Sequence, residues 1–432
     1  MKKFYFLAKA FAISIPLIAA QFMNAQVYEV AQNDLYYAGG VSDNGIVSLY
    51  AGNAIYKWDK ENGLQLIGSI TNGAPLAGNV IINSSGTKIT AGITNPETSL
   101  NEIALYDIAS GEWSFKGGLA GDLDGSKSSA WGISEDGSII VGLGWYEGAT
   151  AHGVKWDAEN GMVDLGSTVS GRSSRANDIS ADKTTIVGWQ DQADGFRSAV
   201  RWVNGVQEPL LDGNGNFIGE AGAVSADGKV ATGTNGLYAY RWSETEGYQN
   251  ITHPNSGPFF RGGSTAVSAD GNTVVGYFRS WPGAPMMGEG FIWTPENGRQ
   301  NLNDYVTSLG LDTKGINFGL PLAMSSDGKK ITGIGINSSN VVTAFYIDLT
   351  DVLATQNVTK SAISVYPNPA KDIITIAGAD KVESVEVYNM VGQKVKALDA
   401  STKINVSSLT KGVYMLQITV KGQKQSIKFI KE

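Results

Sequence analysis

The stretch Thr265-Ala-Val-Ser-Ala-Asp-Gly-Asn-Thr-Val-Val-Gly-Tyr277, followed by Gly290-Phe-Ile-Trp-Thr-Pro-Glu-Asn-Gly298, defines the structural unit of this chain. One apolar run ends in Ser-x-Asp-Gly, a second ends in Val-Gly, and a third ends in Trp before a polar turn with Gly. Asp-Gly and Asn-Gly steps between apolar runs are strong local signals of a β-hairpin. The unit is therefore predicted to be a small antiparallel sheet.

The same unit recurs along the chain. Aligned on the Ser-x-Asp-Gly turn, seven copies have their turns at residues 42–45, 83–86, 134–137, 180–183, 225–228, 268–271 and 325–328. A repeat of about 40 to 50 residues with four strand-like runs is typical of a propeller blade. The predicted fold class is all-β, with a seven-bladed β-propeller over residues 26–350 followed by a small Ig-like β-sandwich. A parallel β-helix would repeat at shorter periods, and a single sandwich would not give seven copies.

Three details of the repeat make local predictions. Lys183 replaces the turn glycine in the fourth copy, which requires a strained or altered turn. The first run of most copies is rich in small residues, as in Ala38-Gly-Gly40, and suits an innermost strand where blades crowd the axis. The stretch Val27-Tyr-Glu-Val30 is a candidate to complete the last blade and close the ring.

The N-terminus predicts export. Residues 1–25 combine a basic start at Lys2 and Lys3 with an apolar run of about ten residues and a small residue at Ala25, which describes a signal peptide cleaved after that alanine. No later stretch approaches the ~20 apolar residues of a membrane span. The chain has no cysteine, so disulfides, thiol catalysis and thiolate metal sites are excluded.

Charge divides the chain into unlike parts. The formal net charge is −8, but residues 1–25 carry +3 and residues 358–432 carry +5, which leaves −16 on residues 26–357. A body this acidic repels phosphates, so neither nucleic acid nor an anionic lipid surface is expected as a partner. The basic C-terminal piece is predicted to be a separate module.

The third and fourth copies contain Ala151-His-Gly-Val-Lys-Trp-Asp-Ala-Glu-Asn-Gly-Met-Val-Asp-Leu-Gly166 and Ser198-Ala-Val-Arg-Trp202. These stretches resemble the extracellular HAF repeat, whose pattern is an aromatic-Trp strand, a Gly-Met turn and Asp-Leu-Gly. Other copies depart from the pattern, with Asp107 and Ile347 at the Trp position. The resemblance implies an extracellular repeat protein and no assigned chemistry.

After a predicted linker at 351–361, residues 362–432 alternate with period two, as expected for a small β-sandwich. Val365-Tyr-Pro-Asn-Pro-Ala370, Val387-Tyr-Asn-Met-Val-Gly-Gln-Lys394, Leu409-Thr-Lys-Gly-Val-Tyr-Met-Leu416 and Lys428-Phe-Ile-Lys-Glu432 follow in order. They resemble the type A C-terminal sorting domain of the Bacteroidetes type IX secretion system. The resemblance implies passage through the periplasm to the outer surface, with the secretion machinery as partner, and it marks the motif residues Tyr366, Pro367, Asn368, Pro369, Gly392, Gly412 and Tyr414.

The residues that usually carry catalysis are scarce. His152 and His253 are the two histidines, and neither has metal-ligand spacing, so no cofactor and no metal is expected. Acids at one position of five turns (Asp136, Asp182, Asp227, Asp270 and Asp327) are predicted to bond their own backbone. Asp122-Leu-Asp-Gly-Ser126 and Asp212-Gly-Asn-Gly-Asn216 only partly match calcium loops, because both lack the full 12-residue frame.

Two unlike faces are expected from antiparallel blades. Links between strands one and two, and three and four, are short and lie on one side, here called the turn face. Links between strands two and three, and from blade to blade, are long and irregular and lie on the other side, the loop face. Irregular loops on a rigid scaffold often carry binding sites. The candidate binding residues there are Trp145, Tyr146, Arg172, Arg175, Trp189, Arg279 and Trp281.

Three functions remain open from the sequence. The preferred one is a secreted or cell-surface binding protein with a glycan or surface protein as ligand, which predicts solvent-facing Trp145, Trp189 and Trp281. A carbohydrate-active hydrolase or lyase would need acids such as Glu147, Asp191 and Glu289 to converge on the axis. A structural surface-layer component would need neither solvent-facing tryptophans nor converging acids. No catalytic constellation is recognisable, so an enzyme is not the expected reading.

Overall fold

The computed structural model describes residues 26–32, 36–69, 78–121, 125–147, 150–353, 364–378, 381–389, 393–420 and 423–432. The expected signal peptide, and the expected linker beyond residue 353, lie outside these ranges. None of the helices in the described ranges has the length and apolar character needed to cross a membrane.

Within residues 26–353, the described strands form seven four-stranded antiparallel sheets. Strand β1 (Gln26–Gln32) precedes them in the chain. The first three sheets consist of β2 (Tyr37–Val41), β3 (Val47–Ala51), β4 (Ala54–Asp59) and β5 (Gly63–Ser69); of β6 (Ile81–Ile82), β7 (Lys88–Thr94), β8 (Asn101–Asp107) and β9 (Glu112–Phe115); and of β10 (Ser128–Ile133), β11 (Ile139–Glu147), β12 (Thr150–Asp157) and β13 (Gly161–Gly166).

The fourth to seventh sheets follow in the same way. They consist of β14 (Ser174–Ile179), β15 (Thr185–Asp191), β16 (Arg197–Val203) and β17 (Val206–Pro209); of β18 (Glu220–Val224), β19 (Val230–Asn235), β20 (Tyr238–Ser243) and β21 (Gly247–Ile251); of β22 (Phe260–Val267), β23 (Val274–Ser280), β24 (Glu289–Thr294) and β25 (Gly298–Asn301); and of β26 (Asn317–Met324), β27 (Lys330–Ile336), β28 (Val342–Asp348) and β1. A 3-10 turn (Pro285–Met287) and helix α1 (Leu302–Ser308) lie in two of the links.

The seven sheets close into a circle. The first strand of each sheet contacts the first strand of the next, and β26 of the seventh sheet contacts β2 of the first. Strand β1 pairs with β28 from Gln26 opposite Asp348 to Gln32 opposite Thr343. The expectation that Val27–Val30 completes the last sheet is therefore confirmed, as are the all-β class and the propeller-like arrangement.

Small residues on the first strands permit close approach at the axis. A Cβ on Gly40 would lie 2.8 Å from the backbone nitrogen of Ile82 on the next sheet. A Cβ on Gly132 would lie 2.7 Å from the carbonyl oxygen of Asn177, again on the next sheet. Separations below 3.0 Å are sterically forbidden, so these positions require glycine, and the first runs are innermost as predicted.

The recurring acids stabilise the turns. The Ser134 hydroxyl donates to Asp136 Oδ1 at 2.9 Å, and the same oxygen accepts from the Ser138 N–H at 3.1 Å. Asp182, Asp227, Asp270 and Asp327 make the equivalent bonds in their own turns. Burial alone would raise the pKa of these five carboxyls, but the hydrogen bonds outweigh it and lower the pKa.

Neighbouring turns are joined around the turn face. The Asp182 N–H donates to the Ala226 carbonyl at 3.2 Å, and the Ala226 N–H donates to the Ala269 carbonyl at 3.0 Å. The Ser326 N–H donates to Asp43 Oδ1 at 2.8 Å, which ties the seventh turn to the first. Between the third and fourth turns, Lys183 Nζ lies 2.6 Å from Asp136 Oδ2. Lys183 has φ 65°, so it takes the left-handed conformation of the turn glycines it replaces.

The repeated tryptophans pack between sheets. Trp58, Trp202 and Trp293 are buried, and Trp202 donates its Nε1–H to the Leu165 carbonyl of the preceding sheet at 3.1 Å. Trp156 and Trp242 are half-buried, and each lies under a cation, Lys116 Nζ at 4.3 Å and the Arg201 guanidinium at 5.0 Å. Their role at this position is core packing, as the repeat predicts.

The packed body extends slightly beyond the expected limit of residue 350. Val352 is buried and Leu353 packs against the cluster that includes Phe318, Phe345 and Ile347.

The described C-terminal residues form two further sheets around one core. These are β29 (Ser364–Tyr366), β30 (Ile373–Ala377) and β33 (Lys403–Asn405), and β31 (Ser384–Asn389), β32 (Lys394–Leu398), β34 (Gly412–Val420) and β35 (Gln423–Lys431).

Candidate functional site: the loop face and the axial cavity

A cavity of about 350 Å³ lies on the axis of the circle of sheets. Each of the seven sheets contributes its innermost strand or the adjoining turn to the lining. In six sheets the pairing of strands one and two shifts register, twice in the seventh sheet, and in each a single residue that a shift leaves unpaired lines the cavity. These residues are Gly39, Trp131, Asn177, Gly222, Thr265 and Leu322. Bulges of this kind often re-aim side chains at functional positions.

Asp178 is an acid on this lining with an unusual environment. Its two carboxyl oxygens accept from the Val224 N–H of the next sheet and from its own sheet's Ile179 N–H, each at 2.9 Å. Burial raises the pKa of Asp178 to about 7, and the two hydrogen bonds only partly oppose that rise. No cation in the described part of the chain pairs with this carboxyl, so nothing of that kind offsets the effect of burial on its pKa.

An arginine forms the centre of a cluster where the fourth sheet meets the loop face. The Arg175 guanidinium stacks on Trp131 at 3.6 Å and lies 5.2 Å from the ring of Trp189. It also bonds Glu220, which accepts from Arg197 Nη1 at 2.9 Å. Burial lowers the pKa of Arg175 to about 10, while Glu220 opposes that change. We call these five residues the Arg175 cluster.

A second arginine group, the Arg279 cluster, comprises Arg261, Arg279 and Trp281 on the sixth sheet. The guanidinium carbons of Arg261 and Arg279 lie 5.0 and 4.8 Å from the centre of the Trp281 ring, which is 43% exposed. Burial raises the pKa of nearby Tyr277, Arg279 opposes that rise, and Glu220 of the Arg175 cluster adds to it.

The structure corrects the predicted tryptophan platform. Trp281 is exposed, but Trp145 is half-buried and Trp189 is only 4% exposed. The reason is strand length, because β11 and β15 continue past the Val-Gly step at which the repeat predicts the second strand to end. Trp189 thus lies within the sheet, directly opposite Arg175. The expectation of a solvent-facing Trp189 is wrong.

The other candidates are distributed along the loop face. Tyr146 is 43% exposed and stacks on His152 with 5.0 Å between ring centres. Arg172 donates to the carbonyl of Ala193 in the β15–β16 link. Arg175, Trp189, Arg279 and Trp281 belong to the two clusters, and Trp145, Tyr146 and Arg172 are members of neither.

Both histidines have structural partners. His152 Nδ1 lies 2.9 Å from Asp164 Oδ2 on the neighbouring strand. His253 Nδ1 accepts from the Asn255 N–H at 3.0 Å, and its Nε2 lies 3.4 Å from Glu289 Oε2. Within the described ranges no group of three or more His, Cys, Asp or Glu side chains is placed to hold a metal ion.

Two of the three acids named for an enzyme, Asp191 and Glu289, lie away from the cavity lining. Glu289 is bound by Arg299 Nη1 of the outermost strand of its own sheet, and neither Glu289 nor Asp191 lines the cavity. The side chain of Glu147 lies outside the described part of the structure. In the second calcium-like stretch, Asp212 Oδ1 accepts from the N–H groups of Asn214 and Asn216 at 2.8 and 2.9 Å, so this carboxylate closes its own loop. Residues 122–124 of the first stretch lie outside the described ranges.

Sequence reasoning missed several members of the clusters. Trp131 lies in an innermost strand, where most copies have small residues, and this difference could have marked it as a candidate site residue. Arg197 and Glu220 carry no local signal, because their proximity depends on how the fourth and fifth sheets stack. Arg261 lies opposite Arg279 across β22 and β23, which requires knowledge of the register.

The C-terminal motif residues are joined by direct contacts. Asn368 accepts from the Ile430 N–H at 2.9 Å and donates to the Lys428 carbonyl at 3.2 Å, which fastens the Tyr-Pro-Asn-Pro segment to the last strand. Phe429 is fully buried and stacks on Tyr414 with 5.6 Å between ring centres. The first motif, at residues 365–370, is thus bonded directly to the last, at residues 428–432. Tyr366 is exposed, and Gly392 lies outside the described residues.

In a comparison with protein families, residues 364–432 match the secretion system C-terminal sorting domain. Among curated proteins, β-agarase D of Zobellia galactanivorans is 47% identical over 58 residues, which are 13% of this chain and 12% of that protein. β-Agarase A of the same organism is 30% identical over 101 residues, 22% of this chain and 17% of that protein. The chain therefore spans less than a fifth of the length of either relative.

Solved structures with a similar backbone are distant. A chain of a mitotic checkpoint complex aligns with TM-score 0.45 and 14% identity, covering 81% of this chain and 99% of that one. An oligogalacturonate lyase in complex with manganese aligns with TM-score 0.47 and 11% identity, covering 76% and 94%. TolB from Acinetobacter baumannii aligns with TM-score 0.40 and 15% identity, covering 63% and 64%. Likeness at this level does not bear on function.

The motif order, the joined first and last motifs and the family match agree on the C-terminal module. Residues 364–432 are a type IX secretion system C-terminal sorting domain, so this protein is exported and resides at the outer cell surface or is secreted.

Proposed function

We propose that this protein is a seven-bladed, HAF-like β-propeller that acts outside the cell as a non-catalytic binding module, with a glycan as ligand. The type A sorting domain is an Ig-like sandwich that directs export. The Tyr414 hydroxyl, which donates to the Thr410 carbonyl at 2.9 Å, resembles the tyrosine corner of such sandwiches and supports that part of the proposal.

One observation carries the binding role. Large exposed apolar side chains in residues 26–353 fall into two groups, and the larger group lies on the loop face. Its members are Tyr146, Phe196, Phe217, Phe259, Trp281 and Met287, contributed by the third to sixth sheets and their links. The others, such as Leu66, lie on outermost strands. Concentrated exposed apolar groups on one face of a rigid scaffold mark an interaction surface.

A non-catalytic role is supported by how the acids are used. Repeated aspartates close turns, Glu220 and Glu289 are each held by arginine, and Asp191 is not part of the cavity lining. The agarase relatives do not alter this proposal, because the matched segments are much shorter than the propeller region. They make a polysaccharide environment worth testing, and they motivate a glycan panel.

The test is a glycan binding screen with the full mature chain and two matched variants. Phe259→Ala and Trp281→Ala each remove an exposed aromatic group from the loop face, with exposures of 76% and 43%. Leu66→Ala removes a side chain of 65% exposure from the outermost strand of the first sheet. We expect binding to fall on the order of ten-fold or more in the first two variants and to persist in the third.

A glycan that binds all three variants equally would place the site elsewhere and contradict the proposal. Absence of binding to every glycan would favour a protein partner or a structural role. Release of reducing ends from a bound polysaccharide, measured in the same screen, would instead support the hydrolase or lyase alternative.

A further inference from the structure

The arginines of this chain are unevenly distributed. All eight lie between residues 172 and 299. Five make ion pairs with carboxylates, namely Arg175, Arg197, Arg201, Arg241 and Arg299. For Arg172, Arg261 and Arg279, no carboxylate among the described residues lies within ion-pair distance, and all three are on the loop face. In a body of formal charge −16, three arginines without a carboxylate partner on one face are unexpected.

Two of the three face each other. Arg261 on β22 lies directly opposite Arg279 on β23. Like charges at directly opposed positions of antiparallel strands repel one another. Both side chains are half-buried, which adds the cost of removing charge from water. The pair is therefore unfavourable by itself and would be stabilised by an anion placed between or beside the two guanidinium groups.

The two guanidinium groups are nevertheless held in place. Arg261 Nε donates to the Pro258 carbonyl at 3.0 Å, and Arg279 Nη1 donates to the Gly283 carbonyl. Both lie against the Trp281 ring, whose π face attracts cations. A guanidinium has five N–H donors, so these contacts fix the groups while leaving donors for a ligand. Fixed, forked donors are suited to carboxylate or sulfate oxygens.

We propose that the Arg279 cluster is the anion-binding subsite of a site for acidic polysaccharide. Arg261 and Arg279 bind the carboxylate or sulfate ester of one sugar unit, and the exposed part of Trp281 with neighbouring Phe259 packs on the apolar face of the sugar ring. The Trp281 N–H donates to the Phe259 carbonyl at 2.8 Å, which keeps the two aromatic residues together. This inference rests on the proposed binding role of the loop face and names its ligand class.

The experiment measures the affinity of the full mature chain for four soluble probes. Polygalacturonate carries carboxylates, carrageenan oligosaccharides carry sulfate esters, agarose oligosaccharides are neutral, and polyglutamate is a polyanion without sugar. The variants are Arg261→Ala, Arg279→Ala and Arg279→Lys. The matched control is Arg201→Ala, which removes the same charge from an arginine paired with Glu208 and Glu244 away from the loop face.

We expect one or both acidic glycans to bind, and the probe that binds identifies carboxylate or sulfate as the anion. Each Arg→Ala change should weaken binding on the order of 10- to 100-fold, since a hydrogen bond to a charged group is lost. Arg279→Lys should restore only part of the affinity, because a lysine cannot form the bidentate contact. Arg201→Ala should bind as the unaltered protein does, and circular dichroism should show that every variant is folded.

Three outcomes would overturn the inference. Binding of the neutral agarose oligosaccharides alone would leave the glycan-binding role intact and remove the anion subsite. Polyglutamate binding as tightly as the acidic glycans would point to an acidic protein partner. If Arg201→Ala lost as much glycan affinity as the loop-face variants, the loss would be explained by the change in net charge alone. If no glycan binds at all, the proposed function itself fails.

Discussion

Asp178 couples the stability of the propeller body to pH. Its folded pKa is about 7, whereas an unfolded Asp has a pKa near 3.9. Between those values the folded chain binds more protons than the unfolded chain, so this carboxyl makes stability fall as pH rises from about 4 to about 7, and adds no further change above 7.

The corresponding variant is Asp178→Asn, which cannot ionise, but its amide nitrogen cannot accept one of the two backbone N–H bonds. We expect it to flatten the decline in the free energy of unfolding between pH 4 and 7, which this carboxyl sets at no more than about 4 kcal/mol in the unaltered protein. Denaturant unfolding at a series of pH values measures the two profiles. Asp194→Asn makes the same charge change in an exposed loop of that sheet and should leave the pH profile unaltered; equal profiles for all three proteins would contradict the prediction.

Single residues also show what the sequence can and cannot reveal. The turn aspartates and the left-handed conformation of Lys183 follow from local rules, because an Asx turn and a positive φ are set within a few residues. The burial of Trp189 does not, because it depends on how far β15 runs beyond Gly188 and on Arg175 standing opposite. Arg197 and Glu220 come together only through sheet stacking.

At the scale of elements, Asn368 fastens one segment of the sorting domain to β35. Its side chain bonds the N–H of Ile430 and the carbonyl of Lys428. Asn368→Ala should therefore accelerate hydrogen exchange at the Ile430 amide on the order of ten-fold or more, since each bond contributes about 0.5–1.5 kcal/mol. Mass spectrometry or NMR can follow the hydrogen exchange of the full chain and measure the rate at this amide.

Asn405→Ala is the matched control, because Asn405 accepts from Ser407 within its own turn at 2.9 Å. Exchange at Ile430 should be unchanged in that variant. Unchanged exchange in Asn368→Ala as well would show that the first motif does not hold the last strand. Order and spacing of the motifs were readable from the sequence, but the contact between the first and the last is a property of the folded domain.

At the scale of the whole molecule, β1 completes the seventh sheet through Val27 and Val30, which are 2% and 7% exposed. Replacing both with Asp would bury two charges without partners, and we expect the free energy of unfolding to fall by more than about 3 kcal/mol. The uncovered edge of β28 should also promote association between molecules. Thermal unfolding and size-exclusion chromatography measure the two effects.

Gln32→Asp adds a charge to the same strand at an exposed position opposite the neutral Thr343. That variant should melt close to the unaltered protein. If it melted like the double valine variant, β1 would contribute nothing to the closed circle. The repeat predicted four-stranded units, and the stretch 27–30 was predicted to complete the last of them, but the register of that strand against β28 required the structure.

The pairing of Gln26 with Asp348 places the two ends of the circle side by side. Such a body has no necessary starting point. A short linker from the end of β28 to the beginning of β1, with new termini opened in a loop-face link such as 192–196, should give a circular permutant with the same sheets. In that molecule every sheet would remain intact, and the position at which a sorting domain or another fusion partner is attached could be moved around the rim without redesigning the core.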